Sequence, residues 1–265
     1  MRDLAPALDD LGAFAADAAR RAGQASLNWF RVPLTIDTKA DESPVTVADR
    51  TVESLLRAEI VERFPDHGIF GEEHGRERME AEHVWVIDPI DGTRSFITGW
   101  PLYGTLLAVL RQDKPVIGVI EMPALGERWV GIAGQPTRFQ GAPCRTSDCR
   151  ELAAASLYTT SPDAFDPAGW AVFDRVSRQV RTRRFGGDCY SYGLLAAGHI
   201  DLVIEAGLQP YDYLSLVPIL EGAGGAIADW QGRPLTTQSD GRVVAAASPE
   251  LLAAALAAIA AAQEG

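Results

Sequence analysis

Apolar residues recur three and four positions apart at Leu4, Leu8, Leu11, Phe14, Ala15 and Ala18, a spacing that predicts an amphipathic helix over residues 3–30, ended by the stretch RVPL. A second helix is predicted in SPVTVADRTVESLLRAEIVERFP. It is entered after Pro44 and stopped before Pro65, with Val52, Leu55, Leu56, Ile60 and Phe64 on one face. The pattern then shortens. HVWVID, YGTLLAVLRQ, KPVIGVIEMP and RWVGIAG read as four strands separated by turn residues. Residues 1–145 are therefore expected to form an N-terminal half of helices on a mainly antiparallel sheet.

From about residue 146 the pattern alternates. ASLYTTS, RTRRFGG, IDLVIE, GAIADW and RVVAAA have strand character, and between and after them GWAVFDRVSRQV, CYSYGLLAAG, YDYLSLVPILEGAG and SPELLAAALAAIAAAQ read as helices. Such alternation indicates an α/β layer, so residues 146–265 are expected to form a C-terminal α/β half. Neither a repeat nor a low-complexity linker interrupts the chain.

Composition narrows the class. A chain of 265 residues that is 47% hydrophobic and 23% charged can bury a substantial core. Acidic residues outnumber basic ones by 36 to 24, and a net charge of −12 disfavours nucleic acid and anionic lipid as partners while suiting the capture of cations. Three cysteines cannot all pair internally, and Cys144 and Cys149, near each other, have no histidine close in sequence to complete a zinc set. With neither a signal-peptide pattern nor a run of roughly 20 apolar residues, a reduced cytoplasmic setting is expected.

The chemistry concentrates in WVIDPIDGTRSF, residues 85–96. Two aspartates three positions apart end an apolar strand, where like charges destabilise unless a cation offsets them. Pro89 keeps Asp88 extended, and Asp91 leads into a helix, so both carboxylates are expected in the crevice beyond the strand's C-terminal end. A hard divalent ion such as Mg²⁺ would take these oxygens together with the Ile90 carbonyl. Gly92 and Thr93, at the start of that helix, offer backbone N–H groups and a hydroxyl to a phosphate. The competing reading of DPIDGT is an Asp-Gly turn with Asp88 as a helix cap.

Other candidates are weaker singly. Glu72 and Glu73 in FGEEHG suit a solvated turn, Asp212 in QPYDYLSLVP suits either a helix N-cap or a ligand, and Asp49 and Lys39 suit surface charges. No P-loop or nucleophile elbow is present, GAGGA at 222–226 follows a helix rather than a strand, and the four histidines form no zinc pair. Covalent serine or histidine catalysis is thereby disfavoured.

Taken together, SPVTVAD, GEE, WVIDPIDGTRSF and PYDYLSLVPILEGAGG resemble the inositol monophosphatase family of Mg²⁺-dependent, lithium-sensitive phosphomonoesterases, over about residues 35–235. The resemblance implies an α-β-α-β-α layered fold, usually a homodimer, with the active site between the two halves. It implies metal ligands at Glu72, Asp88, the Ile90 carbonyl, Asp91 and Asp212, with phosphate held by Gly92 and Thr93. Asp49, paired with the Thr93 hydroxyl, would help Glu72 and Thr93 orient the attacking water, and Lys39 would lie near the site. Two or three Mg²⁺ ions per site are implied, with Mn²⁺ as a substitute and Li⁺ as an inhibitor. Tyr211 stands where the family commonly has Trp.

Magnitudes agree with a metal-based reaction. Hydrolysis of phosphate monoesters needs accelerations approaching ~10²¹-fold, whereas one general base supplies only about 10²–10⁴-fold. The expected reaction is in-line attack by metal-activated water, without a phosphoenzyme.

The stretch RRFGGDCYSYGLLAAGHIDLVIEAGLQPYDYLSLVP looks most like the histidinol-phosphatase branch. Asp188 occupies a position typically small and uncharged in inositol phosphatases, facing the end of the substrate away from the phosphate, and Glu205 matches a substrate contact; Asp91 would reach substrate as well. A buried carboxylate favours a cationic ester such as L-histidinol phosphate over inositol phosphate by at least about 1–3 kcal/mol. Asp188 is also a candidate N-cap for CYSYGLLAAG. The expected activity is release of phosphate from histidinol phosphate, as in histidine biosynthesis. Inositol-1-phosphatase, a broad phosphoesterase, or a non-catalytic metal-binding relative are the alternatives.

Overall fold

The computed structural model describes residues 5–33, 35–38 and 44–264. Helix α1 (Ala5–Ser26) is followed by a two-stranded ribbon of β1 (Ile36–Thr38) and β2 (Pro44–Thr46), then by α2 (Val47–Arg63). A larger sheet is built from β3 (Gly68–Gly71), β4 (Gly75–Glu77), β5 (His83–Asp91), β6 (Gly104–Arg111), β7 (Lys114–Met122), β8 (Glu127–Ile132), β9 (Arg138–Phe139) and β10 (Ala142–Pro143). The short helix α3 (Thr93–Ile97) interrupts it between β5 and β6. Its spatial order is β10-β9-β8-β7-β6-β5-β3-β4, antiparallel except where β3 runs parallel to β5.

The smaller sheet holds β11 (Ser156–Thr159), β12 (Thr182–Phe185), β13 (Leu202–Glu205), β14 (Ala226–Asp229) and β15 (Val243–Ala246), in the order β12-β11-β13-β15-β14. Helices α4 (Pro167–Ser177), α5 (Cys189–Ala196), α6 (Pro210–Tyr213), α7 (Leu216–Gly222) and α8 (Pro249–Glu264) alternate with its strands or close it.

Burial sorts these elements into layers. On one face of the larger sheet, Trp85, Ile87, Leu107 and Val119 pack under α1 and α2, which contribute Ala15, Ala18, Ala22, Val52, Leu56 and Ile60. On the opposite face Val84, Val86, Leu106 and Ile120 meet Tyr192, Leu195, Leu216 and Ile219 of α5 and α7, and then Val203 and Ala245 of the smaller sheet. Beyond that sheet, Leu157, Leu202, Ile204 and Val244 pack against Phe173, Val176, Leu251 and Ile259 of α4 and α8. The result is an α-β-α-β-α sandwich. Strand β5 is covered on both faces, and for that reason it reads as a continuous apolar run rather than an alternation.

Several local expectations are corrected. The first helix ends at Ser26, and residues 27–30 continue as tight turns closed by Asn28 N–H to Ala25 O and Trp29 N–H to Ser26 O. The second begins at Val47, because Pro44–Thr46 pair with β1 and Thr46 caps the helix. Strands β3 and β4 lie where only a Gly-bracketed turn is legible. The helix expected from Tyr211 to Gly224 is two, α6 and α7. Pro218 lacks the N–H that would reach back to Leu214, and its ring clashes with that carbonyl, so the ladder breaks at Leu214–Ser215.

The larger sheet makes room for α7 with two glycines. Gly118 and Gly131 are cross-strand partners on β7 and β8. A Cβ on Gly118 would lie 1.8 Å from Ser215 O, and one on Gly131 would lie 2.5 Å from Ile219 N. The α6–α7 segment thus packs with its backbone directly on the sheet, and this sets where Asp212 lies.

Candidate active site

Asp88 and Asp91 sit at the C-terminal end of β5 and, being three positions apart, would face opposite sides of a regular strand. A bulge corrects this. Asp88 pairs with Leu106 but Asp91 with Gly104, one residue more on β5 than on β6, and Pro89, unable to donate to the ladder, lies inside the irregular stretch. Thr105 Oγ1 fixes the bulge by donating to Pro89 O at 2.8 Å. Asp88 Oδ1 accepts the Ile90 N–H at 3.0 Å, so the Asp-turn reading describes one of its oxygens, and no helix is capped by it.

Glu72 follows β3, whose parallel pairing with β5 ends at Gly71–Ile87. Its N–H donates to Ile87 O at 3.2 Å, which brings it beside Asp88. Asp212 comes from α6, as the third helical residue rather than the N-cap. Its Oδ2 accepts the Gln209 N–H at 2.7 Å and so closes a capping box. Carboxylate oxygens of Asp88, Asp91 and Asp212 lie within 4.8 Å of one another. With Glu72, Ile90, Gly92, Thr93 and Arg94 they line a cavity of about 290 Å³.

Burial and mutual repulsion load this cluster. Burial, then the charges of Glu72, Asp91 and Asp212, push the Asp88 carboxyl well above the usual carboxylate range. Burial, then Asp188 and Asp212, do the same to Asp91, against a lowering contribution from Cys189. Asp212 is pushed up to about 7, mainly by burial, with the Gln209 N–H opposing and Glu72 adding to the rise. Such a set is destabilising as bare anions and suited to a cation. Its donors are carboxylate and carbonyl oxygens only, which fits a hard divalent ion and not a soft one.

Gly92 has φ 80°, the left-handed turn that swings the chain from β5 into α3, and a Cβ there would lie 2.9 Å from Asp188 Oδ2. Asp188 therefore rests against the backbone expected to hold phosphate. The Asp188 backbone is itself unusual, at φ 44° and ψ −138° after Gly186 and Gly187, also at positive φ. Its side chain makes no cap bond to α5. Instead Oδ2 accepts Ser95 Oγ at 2.9 Å, and burial, opposed by that bond, raises its pKa to about 6. The N-terminal N–H of α5 is capped from elsewhere, by Asp91 Oδ2 on Cys189 N at 2.7 Å.

Two further expectations change. Thr93 Oγ1 donates to Ile90 O at 3.2 Å, while Asp49 Oδ2 accepts the N–H and hydroxyl of Thr46 at 2.8 and 2.6 Å. Asp49 is the third residue of α2 and closes its capping box, so the pairing of Asp49 with the Thr93 hydroxyl gives way to these local bonds. Glu205, expected at the substrate, is 3% exposed, with Oε1 accepting Thr160 N–H and Oε2 accepting Tyr192 OH, each at 2.8 Å. It supports Thr160 from behind and lines neither of the two cavities described here. Lys39 lies outside the described residues.

A second cavity of about 460 Å³ adjoins the first, sharing Arg94 and Asp188 and adding Ser95, Trp100, Thr160, Ser161 and Asp163. Trp100 is half exposed there, whereas Tyr103 is fully buried. Of this second wall the sequence points to Asp188 and to Trp100, whose stretch ITGWPLYG reads as substrate mouth, subunit contact or core; the other residues it does not single out. Arg94 and Ser95 were in plain view in DGTRSF, but Thr160 and Asp163 carry no motif and join the site only through the fold.

A profile of the inositol monophosphatase family matches residues 7–264. The chain is 45% identical to the chloroplastic bifunctional phosphatase IMPL2 of Arabidopsis thaliana over 240 residues, covering 90% of this chain and 69% of that one. It is 37% identical to a histidinol-phosphatase of Chlorobaculum parvum, covering 87% and 90%. A solved inositol monophosphatase from Zymomonas mobilis superposes with a TM-score of 0.87 at 47% identity, covering 95% and 98%. The layered fold, the four converging carboxylates and these matches agree: the chain belongs to the inositol monophosphatase family of phosphatases.

Proposed function

We propose that the chain is a Mg²⁺-dependent phosphomonoesterase that hydrolyses L-histidinol phosphate to histidinol and inorganic phosphate. Glu72, Asp88, Asp91, Asp212 and the Ile90 carbonyl would hold the metal. Bound Mg²⁺ lowers the pKa of water and neutralises phosphoryl charge. The residues of the chain bind and orient. The N–H groups of Gly92 and Thr93, with the guanidinium of Arg94, receive the phosphate, and Glu72 and the Thr93 hydroxyl direct the water. A water oxygen bonds to phosphorus in line as the ester P–O bond breaks, and the proton that the water gives up ends on the leaving alkoxide.

Asp188 carries the choice of substrate. It is the carboxylate shared by both cavities, held by Ser95 against Gly92, so an ester seated at Gly92 presents its far end to Asp188 and Asp163. Histidinol phosphate carries an ammonium group and an imidazole, whereas inositol offers only hydroxyls. The exposed indole of Trp100 adds a flat apolar wall for a ring. The similarity to histidinol-phosphatases points the same way.

The likeness to the Zymomonas inositol monophosphatase supports inositol 1-phosphate as the second reading. Measuring kcat/KM for both esters separates the two. A ratio of ten or more in favour of histidinol phosphate is expected, and a clear preference for inositol phosphate contradicts the assignment. Three free cysteines suit a reduced cytoplasm. The family habit suggests a homodimer, with halves 1–145 and 146–265 meeting at the site.

A further inference from the structure

Glu53 is a carboxylate with 0% exposure in the middle of α2, where a charge is costly unless it is fully bonded. Its bonds run to the turn after β3. Oε2 accepts the N–H of Glu73 at 2.6 Å, and Oε1 accepts the N–H of His74 at 3.1 Å and the Arg57 guanidinium at 2.7 Å. Arg57 also donates to Glu77 Oε1 at 2.9 Å and to Gly75 O. From the same helix, Ser54 Oγ lies 3.0 Å from the His74 ring. Gly71 makes the approach possible, since a Cβ there would lie 2.0 Å from Glu53 Oε1. The turn that presents Glu72 is thus fastened on both sides, to Ile87 O of β5 through Glu72's own N–H and to α2 through the next two N–H groups.

We infer that Glu53 is a positioning residue, which acts through the 72–74 turn to aim the Glu72 carboxylate at the metal cluster. The inference rests on the reading of Glu72 as a metal ligand. Nothing in the sequence singles out Glu53, which occupies a helix position like any other. Groups that orient metal ligands change affinity by about 10- to 100-fold when removed. Glu53→Gln keeps the shape but turns an N–H₂ group toward a backbone donor, and Glu53→Asp withdraws the acceptor by one methylene.

The test is Mg²⁺ affinity by calorimetry without substrate, KM for the ester, and amide exchange at Glu73 and His74. Both Glu53 variants are expected to bind Mg²⁺ about 10- to 100-fold more weakly, with faster exchange at the two amides and little change in KM. Glu59→Gln, on the same helix as Glu53, loses only its ion pair with Arg21 of α1 and is expected to bind like wild type. Glu72→Gln separates the two claims. If it binds Mg²⁺ as wild type does, the ligand reading fails. If it weakens binding while folded Glu53 variants do not, the positioning role fails. Should the variants not fold, unprotected Glu73 and His74 amides in the metal-free wild-type protein overturn the inference.

Discussion

Asp91 Oδ2 accepts the backbone N–H of Cys189 at 2.7 Å, so a carboxylate of the larger sheet caps a helix attached to the smaller one. That bond ties the candidate ligand set to the substrate-side helix whose first turn follows Asp188. The cap contributes about 1 kcal/mol, and Asn can keep it while removing the charge. Asp91→Asn is therefore expected to lower turnover by about 10²- to 10³-fold, on the scale of losing a central electrostatic group. Its metal-free melting temperature should equal or exceed that of wild type, because one repelled anion has gone. A lower one would show that the anions do not repel one another in the folded chain.

The pH dependence of metal-free stability follows from the same crowding. Asp212 is held at about 7 and Asp188 at about 6, both above the ordinary value of 3.8, with burial the leading cause. Below about pH 4 these carboxyls are protonated in both states, and they cost nothing. As pH rises toward 7 the unfolded chain releases protons that the folded chain retains, so stability falls, and the loss is complete above 7. Melting curves in EDTA from pH 5 to 8 should show a declining midpoint, and added Mg²⁺ should reverse the decline. A midpoint that rises over that range in EDTA contradicts the assignment.

Close packing of α7 on the larger sheet gives a steric prediction. Gly118→Ala places a methyl 1.8 Å from Ser215 O, a backbone atom that cannot rotate away. Destabilisation of about 1–3 kcal/mol or more is expected from such overpacking, together with weaker Mg²⁺ binding as Asp212 shifts. Urea unfolding and calorimetry measure the two effects. Wild-type values for both would mean that α7 does not sit on those glycines.

Asp188→Asn tests selectivity. It should reduce kcat/KM for histidinol phosphate by about 10- to 100-fold, the scale of one lost charge-assisted contact, and leave inositol 1-phosphate turnover nearly unchanged. Equal losses on both esters would assign Asp188 a structural role at Gly92 and not a selective one.

Much of this site is legible before any coordinates. Asp88 and Asp91 announce themselves because charge at the end of an apolar strand has few structural uses, and Pro89 and Gly92 mark the bulge and turn that aim them. What pattern reading misses has physical causes. Strand β3 is four residues between glycines, too short for a periodicity, yet its pairing with β5 is what brings Glu72 to Asp88. Pro218, in the third position of α7, acts on a carbonyl four residues earlier, so the break between α6 and α7 hides inside an apolar run. Asp188 looks like an N-cap in sequence, but its positive φ turns the side chain to Ser95 and leaves the cap to Asp91. Glu205 matches a substrate contact by resemblance, but the fold buries it behind Thr160 and Tyr192.

Phosphate release from histidinol phosphate, by protein dialysed against EDTA and then titrated with Mg²⁺, bears most directly on the metal-based hydrolysis built around Glu72, Asp88, Asp91 and Asp212. Turnover should vanish on chelation and return in full with Mg²⁺, with the melting temperature rising over the same concentration range. Turnover that ignores EDTA, or a Mg²⁺-dependent gain in melting temperature without any phosphate released, would contradict it.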